Sequence, residues 1–423
     1  MDVKLFQARF LLVDSRTLIQ EGAVAVEGGR ILNAGPGAEL HSLFPKASVR
    51  EFGEAVLMPP MANAHCHLEL TDFPRWSASH PPSPKDASFV DWIRRLIPIK
   101  HTRSPQALGA SLGRGLALCL RAGTGAVGDI LSFVPGRDAY RRSPLFGRLY
   151  YETLGLDDSR MGERIRELEA LVGEGPKGRF TPGISPHSPY NLSRSYLKAL
   201  ATLAQKRGLP LSIHLAESPA ETEFLLHSRG EIATGLYPFV GWGGMVPAPA
   251  GQRPLPYVLE LGLGGADCLF VHGVQLSDEE PELLAKSGAT LVLCPRSNAA
   301  LGVGRAPVEA LVAAGVPLAL GTDSLASAPS LSLWDELAFL RERTGPEVGD
   351  QALLEMATLG GARALGLDGE MGRLAPGWGA HFQVLRPPRM PGGDNLLARL
   401  CRSGKDWPLE ALYLGGVNRL QKS

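Results

Sequence analysis

The chain has no excess of charge and few cysteines. Its 423 residues include 43 Lys and Arg against 43 Asp and Glu, so the formal net charge at pH 7 is +0. A neutral chain has no overall attraction to nucleic acid or to an anionic membrane, and we expect neither as a partner. The 5 cysteines, an odd number, include no CxxC pair. This argues against a disulfide framework and favours the reducing cytoplasm.

Long hydrophobic runs are also absent. The N-terminal stretch MDVKLFQARFLLVDSRT has a short apolar run, without the long hydrophobic region and small-residue cleavage site of a signal peptide. No run in the sequence approaches the roughly 20 apolar residues of a transmembrane helix. We therefore predict a cytoplasmic protein without a membrane span.

Both ends of the chain have the sequence pattern of short strands. Residues 1–57 and 371–423 contain apolar runs broken by Gly, Asp and Pro, such as GAVAVEGGRILNAG and GWGAHFQVLRP. This pattern is typical of strands and turns. We predict that the two termini together build one small β domain, a β-sandwich beside a larger domain.

The central segment, 58–370, alternates strand-length with helix-length patterns. TGAVGDI, PLSIHLAE, CLFVHG and PLALGTDS are typical of buried strands, whereas MGERIRELEALVGE and SYLKALATLAQKRG have helical periodicity. The alternation indicates parallel β/α units of the α/β class, and six to eight units predict a (β/α)8 TIM barrel. An open doubly wound sheet is the alternative, but no GxGxxG motif opens the first unit.

Two Pro- and Gly-rich segments, 75–89 and 235–256, interrupt this alternation. Loops of this length in a compact fold are often functional lids. A surface insertion is the alternative, and the sequence does not distinguish the two.

Metal-capable side chains lie at or beside the ends of the predicted strands. They are His65 and His67 in NAHCHLEL, His214 in SIHLAE, His272 in FVHG and Asp323 in LALGTDS. The carboxyl ends of the strands in a β/α barrel converge on one face, where active sites form. Residues i and i+2 of a strand point to the same side, so both histidines of the first motif can face inward while Cys66 faces away as a packing residue.

Three neutral imidazoles and one carboxylate suit Zn²⁺, with Fe²⁺ as the alternative. Such a metal lowers the pKa of a bound water to near neutrality. Glu217, three residues after His214, is placed to shuttle protons beside the metal; a charge at the start of a helix is the alternative role. No lysine lies in the strand RFTPGISP, where a carbamylated lysine would bridge two metals. We therefore expect one metal ion per subunit.

In their order, these motifs resemble the amidohydrolase superfamily, and within it the cytosine deaminase and chlorohydrolase branch. MPPMANAHCHLEL stands where that branch has Pro-Gly-x-x-Asn-x-His-x-His, and HLAES, VHG, LCPRSN and LGTDS match its later motifs. The resemblance covers essentially the whole chain. It implies that the metal ligands are His65, His67, His214 and Asp323.

The resemblance also implies a role for each catalytic residue. Glu217 would protonate a ring nitrogen of a small-molecule substrate. His272 would orient and polarise the metal-bound water, and Asp323 would take its proton. The implied reaction is attack of metal-bound hydroxide on an amidine-like ring carbon, followed by release of ammonia.

Among the subgroups, the chain resembles deaminases of adenine nucleosides. These act on methylthioadenosine and S-adenosylhomocysteine, or on aminodeoxyfutalosine in menaquinone biosynthesis. SPHSPY resembles their segment with a ribose-contacting histidine, here His187; a loop-capping histidine is the alternative. FVDWIRRLIPIK resembles a further segment of the methylthioadenosine and S-adenosylhomocysteine deaminases. That segment ends in a ribose-binding glutamate, and this chain has Lys100 in its place.

The lysine at this position favours a substrate with an anionic group. We predict that Lys100, together with Arg296 in CPRSN, meets the benzoate of aminodeoxyfutalosine. Glu69, two residues beyond His67, is expected to reach the same pocket. His381, where the family commonly has aspartate, lies after the predicted barrel and is expected to have no part in the chemistry.

Three alternatives stay open. The substrate is adenosine, methylthioadenosine or S-adenosylhomocysteine; or the enzyme is a triazine or pyrimidine hydrolase that releases chloride or ammonia; or the barrel is a catalytically inactive scaffold. The sequence does not fix the oligomeric state, and a homodimer is left open.

Overall fold

The computed structural model describes residues 2–80, 88–175 and 178–420, so residues 81–87 of the predicted loop 75–89 lie outside the described part. Its strands form two sheets of eight strands each. No helix among the described residues combines the length and the apolar character needed to cross a membrane.

The first sheet is built from the two ends of the chain. Its strands are β1 (Lys4–Leu12), β2 (Leu18–Glu27), β3 (Arg30–Pro36), β4 (Ser48–Glu51), β5 (Val56–Met58), β14 (Phe382–Leu385), β15 (Leu409–Leu414) and β16 (Val417–Asn418). β1 runs antiparallel to β2, and its other edge pairs in parallel first with β4 and then with β5. β14 pairs antiparallel with β5 and so joins the C-terminal strands to the N-terminal ones.

A separate apolar cluster fills this small sheet. Phe382 stacks on Tyr413 with ring centroids 4.5 Å apart, and Phe6 packs against both rings. The prediction of a small β domain from both termini is confirmed. All eight of its strands are hydrogen-bonded in one branched sheet.

The second sheet is the barrel. Its strands are β6 (Met61–Cys66), β7 (Thr124–Leu131), β8 (Phe146–Thr153), β9 (Phe180–Pro186), β10 (Leu211–Leu215), β11 (Cys268–His272), β12 (Thr290–Leu293) and β13 (Leu318–Leu320). Each strand pairs in parallel with the next in chain order. Nearly all of their residues are buried, as expected for a sheet covered on both faces. The predicted (β/α)8 barrel is confirmed.

Helices connect and cover these strands. They are α1 (Gly37–Leu43), α2 (Phe73–Ser77), α3 (Phe89–His101), α4 (Pro105–Arg121), α5 (Asp138–Arg142), α6 (Met161–Gly173), α7 (Arg194–Arg207), α8 (Pro219–His227), α9 (Tyr237–Phe239), α10 (Pro254–Glu260), α11 (Glu280–Ser287), α12 (Pro295–Ala300), α13 (Val308–Ala313), α14 (Leu333–Arg341), α15 (Asp350–Ala357), α16 (Leu359–Ala364) and α17 (Leu396–Ser403).

Serine caps define where several of these helices begin. Ser88, Ser104, Ser193 and Ser218 each accept a hydrogen bond from the backbone N–H three residues on, at the starts of α3, α4, α7 and α8. A side-chain oxygen at this position satisfies a backbone donor that the helix itself leaves free.

At the C-terminal end, the predicted boundary between the small β domain and the barrel differs from the way the helices pack. Segment 371–423 was expected in the small β domain. It also contains α17, whose Leu396, Leu400 and Cys401 belong to the apolar core of the barrel. The amphipathic pattern of this short helix was hidden within a turn-rich segment.

The barrel closes between its last and first strands. Beyond the end of β13, the N–H groups of Thr322 and Asp323 donate to the carbonyl of His65, at 3.0 and 3.2 Å. The side chain of Asn63 adds two hydrogen bonds: its amide donates to the Thr322 hydroxyl at 2.8 Å, and its oxygen accepts from the Thr322 N–H at 3.1 Å. Asn63 is 0% exposed, so these bonds are not exchanged for water.

We predict that Asn63→Ala lowers the free energy of unfolding by about 2–3 kcal/mol, because it removes two buried hydrogen bonds and leaves the Thr322 hydroxyl without its Asn63 partner. Urea denaturation followed by circular dichroism measures this change. Asn395→Ala is the control, since the Asn395 side chain caps no helix and is exposed. Equal changes in the free energy of unfolding for the two substitutions would contradict a stabilising role of the Asn63 hydrogen bonds at the barrel closure.

Candidate active site

The predicted metal ligands come together at the carboxyl ends of the barrel strands. His65 lies on β6, with His67 just beyond its end, and His214 lies on β10. His272 is the last residue of β11, and Asp323 follows β13 by three residues. Two overlapping groups of their donor atoms lie within 4.8 Å of one another: His65, His214 and His272, and His65, His67 and Asp323.

Hydrogen bonds fix the orientation of two of these imidazoles. The Nδ1 of His214 lies 2.7 Å from the carbonyl oxygen of His187. The Nδ1 of His272 lies 2.8 Å from the side-chain oxygen of Asn298. Both partners accept only, so each Nδ1 carries the proton and each Nε2 presents a lone pair to the site. Such an outer hydrogen bond is the usual support of a metal-binding histidine.

The carboxylate of Asp323 is held in a similar way. Its Oδ2 accepts hydrogen bonds from the hydroxyls of Ser297 and Ser327, at 2.6 and 2.8 Å. Its Oδ1 faces the Nε2 atoms of His65 and His67, at 4.0 and 3.7 Å. One oxygen is thus anchored to the protein, and the other is directed into the site.

The local backbone is unusual at this position. Asp323 has a φ of 55° and His272 a φ of 78°. Left-handed backbone of this kind is uncommon outside glycine and is often retained at functional sites. Both residues lie at or just beyond the end of a barrel strand, and both side chains line the same cavity.

The donor atoms fit a single metal cation. The Nε2 atoms of His67 and His214 are 3.2 Å apart, and the buried Nε2 atoms of His65 and His272 have no hydrogen-bond partner among the described residues. When several buried nitrogen lone pairs point at one another and no hydrogen-bond donor lies between them, the folded state is destabilised unless a cation binds there. Imidazole nitrogen and carboxylate oxygen are ligands of Zn²⁺ and Fe²⁺. Both groups of donors share His65, which supports one metal rather than two.

The protonation states also suit a metal. Burial lowers the pKa of His65 and His67 well below the ordinary value, and that of His214 and His272 to about 4. Burial opposes ionisation of Asp323, but the facing imidazoles and the Ser297 hydroxyl hold its pKa below the usual range. At neutral pH the site therefore offers neutral imidazoles and an ionised carboxylate, the forms that bind metal.

Cys66 faces away from this centre, as predicted. Its Sγ lies 3.5 Å from the Asp129 carboxylate on the neighbouring strand β7. The same carboxylate accepts from the N–H of Leu68 at 2.9 Å and from the hydroxyl of Tyr140. Asp129 thus holds the chain on both sides of His67, a role that no local sequence pattern indicated.

Glu217 lies beside the proposed ligands. Its Oε1 is 3.5 Å from the Nε2 of His272. Burial, followed by the nearby carboxylates of Asp323 and Glu221, raises the pKa of Glu217 well above the ordinary value, which favours the protonated form of the side chain. The helix-end role that was the alternative for Glu217 belongs to Glu221. This residue lies in the first turn of α8, and its carboxylate accepts from the N–H groups of Ala216 and Glu217, at 3.1 and 2.8 Å.

A cavity of about 690 Å³ opens over these residues. The polar side chains that line it are His67, Lys100, His101, Arg103, Ser132, Glu152, His187, Asn191, His214, Glu217, His272, Asp323 and Ser324. Apolar side chains from α3 form much of the remaining wall, and Leu236, Val240 and Trp242 extend it. These last three belong to the segment 235–256, which is partly helical and contributes directly to the pocket.

Lys100 lines the cavity but is already paired. Its ammonium contacts the carboxylate of Glu69 and the hydroxyl of Ser132. Glu69 is 1% exposed, and its carboxylate also accepts from Ser132 at 2.6 Å and from the N–H of Phe133 at 2.9 Å. Glu69 therefore lies behind Lys100, outside the described cavity wall. The lysine charge, which was expected to meet an anionic substituent, is compensated within the protein.

Arg296 is not in the cavity wall, which corrects its assignment as a substrate-binding residue. Its guanidinium donates to Ser330 at 2.8 Å and lies 3.4 Å from the carboxylate of Asp335. Its position at the start of α12 turns the side chain toward α14. The CPRSN motif places the backbone of Arg296 near the site, but the direction of α12 points the guanidinium away from the cavity.

Two cavity residues, Glu152 and Arg103, were not identified from the sequence. Glu152 lies near the end of β8, in GRLYYET, a strand whose mixed polarity concealed it. The available signal was a carboxylate at a strand end, the same signal that identified Asp323. Arg103 lies in the turn between α3 and α4, where the local sequence gives no direction for the side chain.

His381 lies outside the barrel, as expected. Its Nε2 is 3.1 Å from the carboxylate of Glu370, and its Nδ1 accepts from the N–H of Gly415 at 3.1 Å. Its ring packs on Phe146 of β8 with centroids 4.6 Å apart. It therefore links the small sheet to the barrel.

Comparison with known proteins supports the relation indicated by the motifs. Residues 56–406 match the model of the amidohydrolase family. A 5-methylthioadenosine/S-adenosylhomocysteine deaminase of Nitratidesulfovibrio vulgaris is 32% identical over 88% of this chain and 80% of its own length. An aminodeoxyfutalosine deaminase of Deinococcus radiodurans is 33% identical over 82% of this chain and 81% of its own length.

A solved structure shows the same fold. An adenosine deaminase of Xanthomonas campestris with bound zinc superposes with a TM-score of 0.81 at 23% identity, and covers 99% of this chain and 92% of the other.

We predict one equivalent of zinc or iron per chain in the purified protein, measured by inductively coupled plasma mass spectrometry. Asp323→Ala should weaken metal binding by more than about a hundredfold, since even the loss of an outer-shell partner of a metal ligand costs about ten- to a hundredfold. Cys66→Ala is the matched control, because Cys66 lies between two proposed ligands but faces away from the metal. No stoichiometric metal in the unchanged protein would support the inactive-scaffold alternative.

Proposed function

The chain belongs to the amidohydrolase family, and we propose that it hydrolytically deaminates a 6-aminopurine nucleoside, with aminodeoxyfutalosine as the preferred substrate. The observation that carries the proposal is the carboxyl group of Glu217, 3.5 Å from His272, in the wall of a cavity that three of the proposed metal ligands, His67, His214 and Asp323, also line. An acid opposite a metal site is what replacement of an aromatic amino group by water requires. The two deaminase relatives support the same reaction class.

Zn²⁺ or Fe²⁺ held by His65, His67, His214 and Asp323 would supply Lewis-acid activation of water near neutral pH. The remaining steps are proton transfers by side chains of this chain. Glu217 donates its proton to a ring nitrogen of the adenine, which makes the adjacent C6 more electrophilic.

His272 and Asp323 act on the attacking water. The Nδ1–H of His272 is engaged by Asn298, so its Nε2 accepts a hydrogen bond from the water and orients it. The free Oδ1 of Asp323 accepts the water proton and passes it to the departing amino group. As the bond between C6 and the amino nitrogen breaks and ammonia leaves, the proton of the new C6 hydroxyl returns to Glu217, so the oxo product forms and both carboxyl groups recover their initial state.

The cavity volume suits a nucleoside. A volume of about 690 Å³ lies within the range of about 300–1,000 Å³ typical of small-molecule sites. Trp92, Phe133 and Trp242 provide aromatic surface in the wall. Flat heterocycles bind well against such surface.

The position of Arg103 favours a substrate with an anionic group. It lines the cavity, and its guanidinium donates to the carbonyl of Ile99 at 3.1 Å and the hydroxyl of Thr102 at 2.8 Å. Among the described residues no carboxylate lies within 4.0 Å of it, in contrast to Lys100 and Arg296. With His101 also in the wall, we propose Arg103 as the partner of the benzoate of aminodeoxyfutalosine.

Methylthioadenosine and S-adenosylhomocysteine are the second candidate substrates. The relative from Nitratidesulfovibrio vulgaris, named for both, is nearly as similar as the aminodeoxyfutalosine deaminase. The carboxylate of S-adenosylhomocysteine is balanced by its own ammonium group, and methylthioadenosine and adenosine have no charged group, whereas the benzoate of aminodeoxyfutalosine is an unbalanced negative charge. The net charge of the substrate therefore separates aminodeoxyfutalosine from the other candidates.

We predict that the metal-loaded enzyme releases ammonia from aminodeoxyfutalosine with a higher kcat/KM than from S-adenosylhomocysteine, methylthioadenosine or adenosine. Arg103→Ala should lower kcat/KM for aminodeoxyfutalosine by about tenfold or more, mostly through KM, since a hydrogen bond to a charged group is lost. Its effect on adenosine should be small.

Arg296→Ala serves as the matched control and should leave the substrate preference unchanged. A glutamate dehydrogenase-coupled assay measures ammonia. Ammonia from none of the four nucleosides would contradict the proposed function, and chloride release from a chlorotriazine would favour the hydrolase alternative.

We also predict that Glu217→Gln retains stoichiometric metal but loses about 10²- to 10⁴-fold in kcat, the usual contribution of a general acid. Glu223→Gln on the following helix, α8, is the control, because Glu223 is exposed and, among the described residues, its ion-pair partner is Arg229 alone, at 3.7 Å. Turnover at the unchanged rate in Glu217→Gln would remove the acid role from this residue.

A further inference from the structure

The helix α12 supports two residues of the site at once. The hydroxyl of Ser297 donates to the Oδ2 of Asp323 at 2.6 Å, and the side-chain oxygen of Asn298 lies 2.8 Å from the Nδ1 of His272. α12 directly follows β12, which lies between β11 and β13 in the barrel. The two supported residues lie at the ends of those neighbouring strands, so a displacement of α12 alters both contacts together.

The position of α12 is not fixed by the helix alone. It has six residues, and a helix of that length is too short to be stable without outside contacts. Among the described residues, Cys294 at its N-cap position forms no side-chain hydrogen bond with the first turn. The backbone N–H groups of a first turn have no partner within their own helix. The start of α12 therefore depends on contacts from another element.

Glu336 of α14 supplies such a contact. Its Oε2 accepts a hydrogen bond from the backbone N–H of Arg296, in the first turn of α12, at 3.0 Å. Its Oε1 lies 3.9 Å from the guanidinium of the same residue. The Glu336 side chain is 0% exposed. One buried carboxyl group thus faces both the backbone and the side chain of Arg296.

Packing alone does not account for a carboxyl group at this place. Burial raises the pKa of Glu336 to about 8, and the N–H and guanidinium of Arg296 oppose that rise. Apolar replacement of a buried ion pair is often neutral or stabilising, so the pair is weak evidence for stability. A hydrogen bond to a backbone N–H is directional, whereas an apolar contact is not. The carboxyl group therefore determines where α12 begins more than how tightly α14 packs.

We propose that Glu336 is a positioning residue of the active site. Through Arg296 it holds α12, and α12 in turn holds the carboxylate of Asp323 and the imidazole of His272. Glu336 is not in the described cavity wall, so it acts through these residues and not on the substrate. The effect on turnover rests on the proposed function, whereas the effect on metal binding does not.

The test measures the zinc Kd of the loaded protein by competition with a chromogenic chelator, together with kcat and KM for the most active of the four nucleosides. Glu336→Met keeps the length of the side chain but removes the oxygen that accepts from Arg296. It should raise the zinc Kd by about tenfold, the lower end of the effect of losing an outer-shell partner. At saturating zinc, kcat should also fall by about tenfold, with KM nearly unchanged because the substrate contacts are intact.

Glu336→Gln separates the hydrogen bond from the charge. Its amide oxygen can accept from the same N–H, so the zinc Kd and kcat should stay close to those of the unchanged protein. Leu340→Ala is the matched control for destabilisation, because Leu340 is 2% exposed on the same helix and its truncation removes packing without removing a hydrogen bond. It should lower the midpoint of urea unfolding and leave the zinc Kd unchanged.

A double substitution tests whether the effect passes through α12. Ser297→Ala removes one donor to Asp323 and should weaken zinc binding by itself. Glu336→Met should then change the zinc Kd less in the Ser297→Ala background than in the unchanged protein, because the two residues act on one contact. Fully additive effects would overturn the route through α12.

The outcomes separate this inference from the proposed function. An unchanged zinc Kd in Glu336→Met would overturn the inference, as would an equal loss of zinc binding in Leu340→Ala or in Glu336→Gln. If Glu336→Met does not fold, Glu336→Asp carries the same test, since its shorter side chain withdraws the carboxylate from the N–H and should also raise the zinc Kd. Zinc binding is measured without substrate, so failure to deaminate any nucleoside would contradict the proposed function alone.

Discussion

The site depends on closure of the barrel, because its donors come from both sides of the line where the sheet joins itself. His65 and His67 belong to the first strand, and Asp323 follows the last. Asp323 is at least 256 residues from either histidine in sequence (323 − 67 = 256). Even so, its N–H donates to the His65 carbonyl, and its carbonyl accepts from the His67 N–H. The same hydrogen bonds that end the sheet bring these side chains to one point. A barrel that opened here would lose the metal site before it lost most of its core.

Two of the proposed ligands, and His272 beside them, are held by residues from other elements. The carbonyl of His187 orients His214, Ser297 with Ser327 holds Asp323, and Asn298 orients His272. Asp129 holds the chain around His67 from the next strand. His187 links this support to the cavity, since its carbonyl orients His214 while its ring lines the cavity wall. The orientation of one proposed metal ligand and the shape of the cavity therefore depend on the same loop.

Much of the fold and the centre of the site was predictable from the sequence, and the failures have physical causes. The strand-end position of His214 or Asp323 is a local property, and a parallel barrel converts it directly into convergence. The direction of a long side chain on a helix or turn depends on contacts with residues that are distant in sequence, so the local sequence does not indicate it. Arg296 therefore points to Asp335 rather than to the cavity, and Glu69 lies behind Lys100.

Two other features needed knowledge of the packing. Glu152 was hidden because the β8 pattern GRLYYET has no continuous apolar run. The barrel contacts of α17 depend on neighbouring helices that its own sequence does not identify.

The small sheet has a consequence for how the protein is made. β5 is separated from β6 by only Pro59 and Pro60, and its edge is covered by β14, whose Gln383 also donates to the Pro59 carbonyl at 3.0 Å. During synthesis the ribosome releases β5, and with it His65 and His67, long before the covering strand β14 emerges. Until then β5 has an open edge of the kind that pairs with other chains. Nascent chains of this protein therefore depend on protection of one three-residue strand until β14 has emerged, and truncation before β14 would leave that edge permanently open.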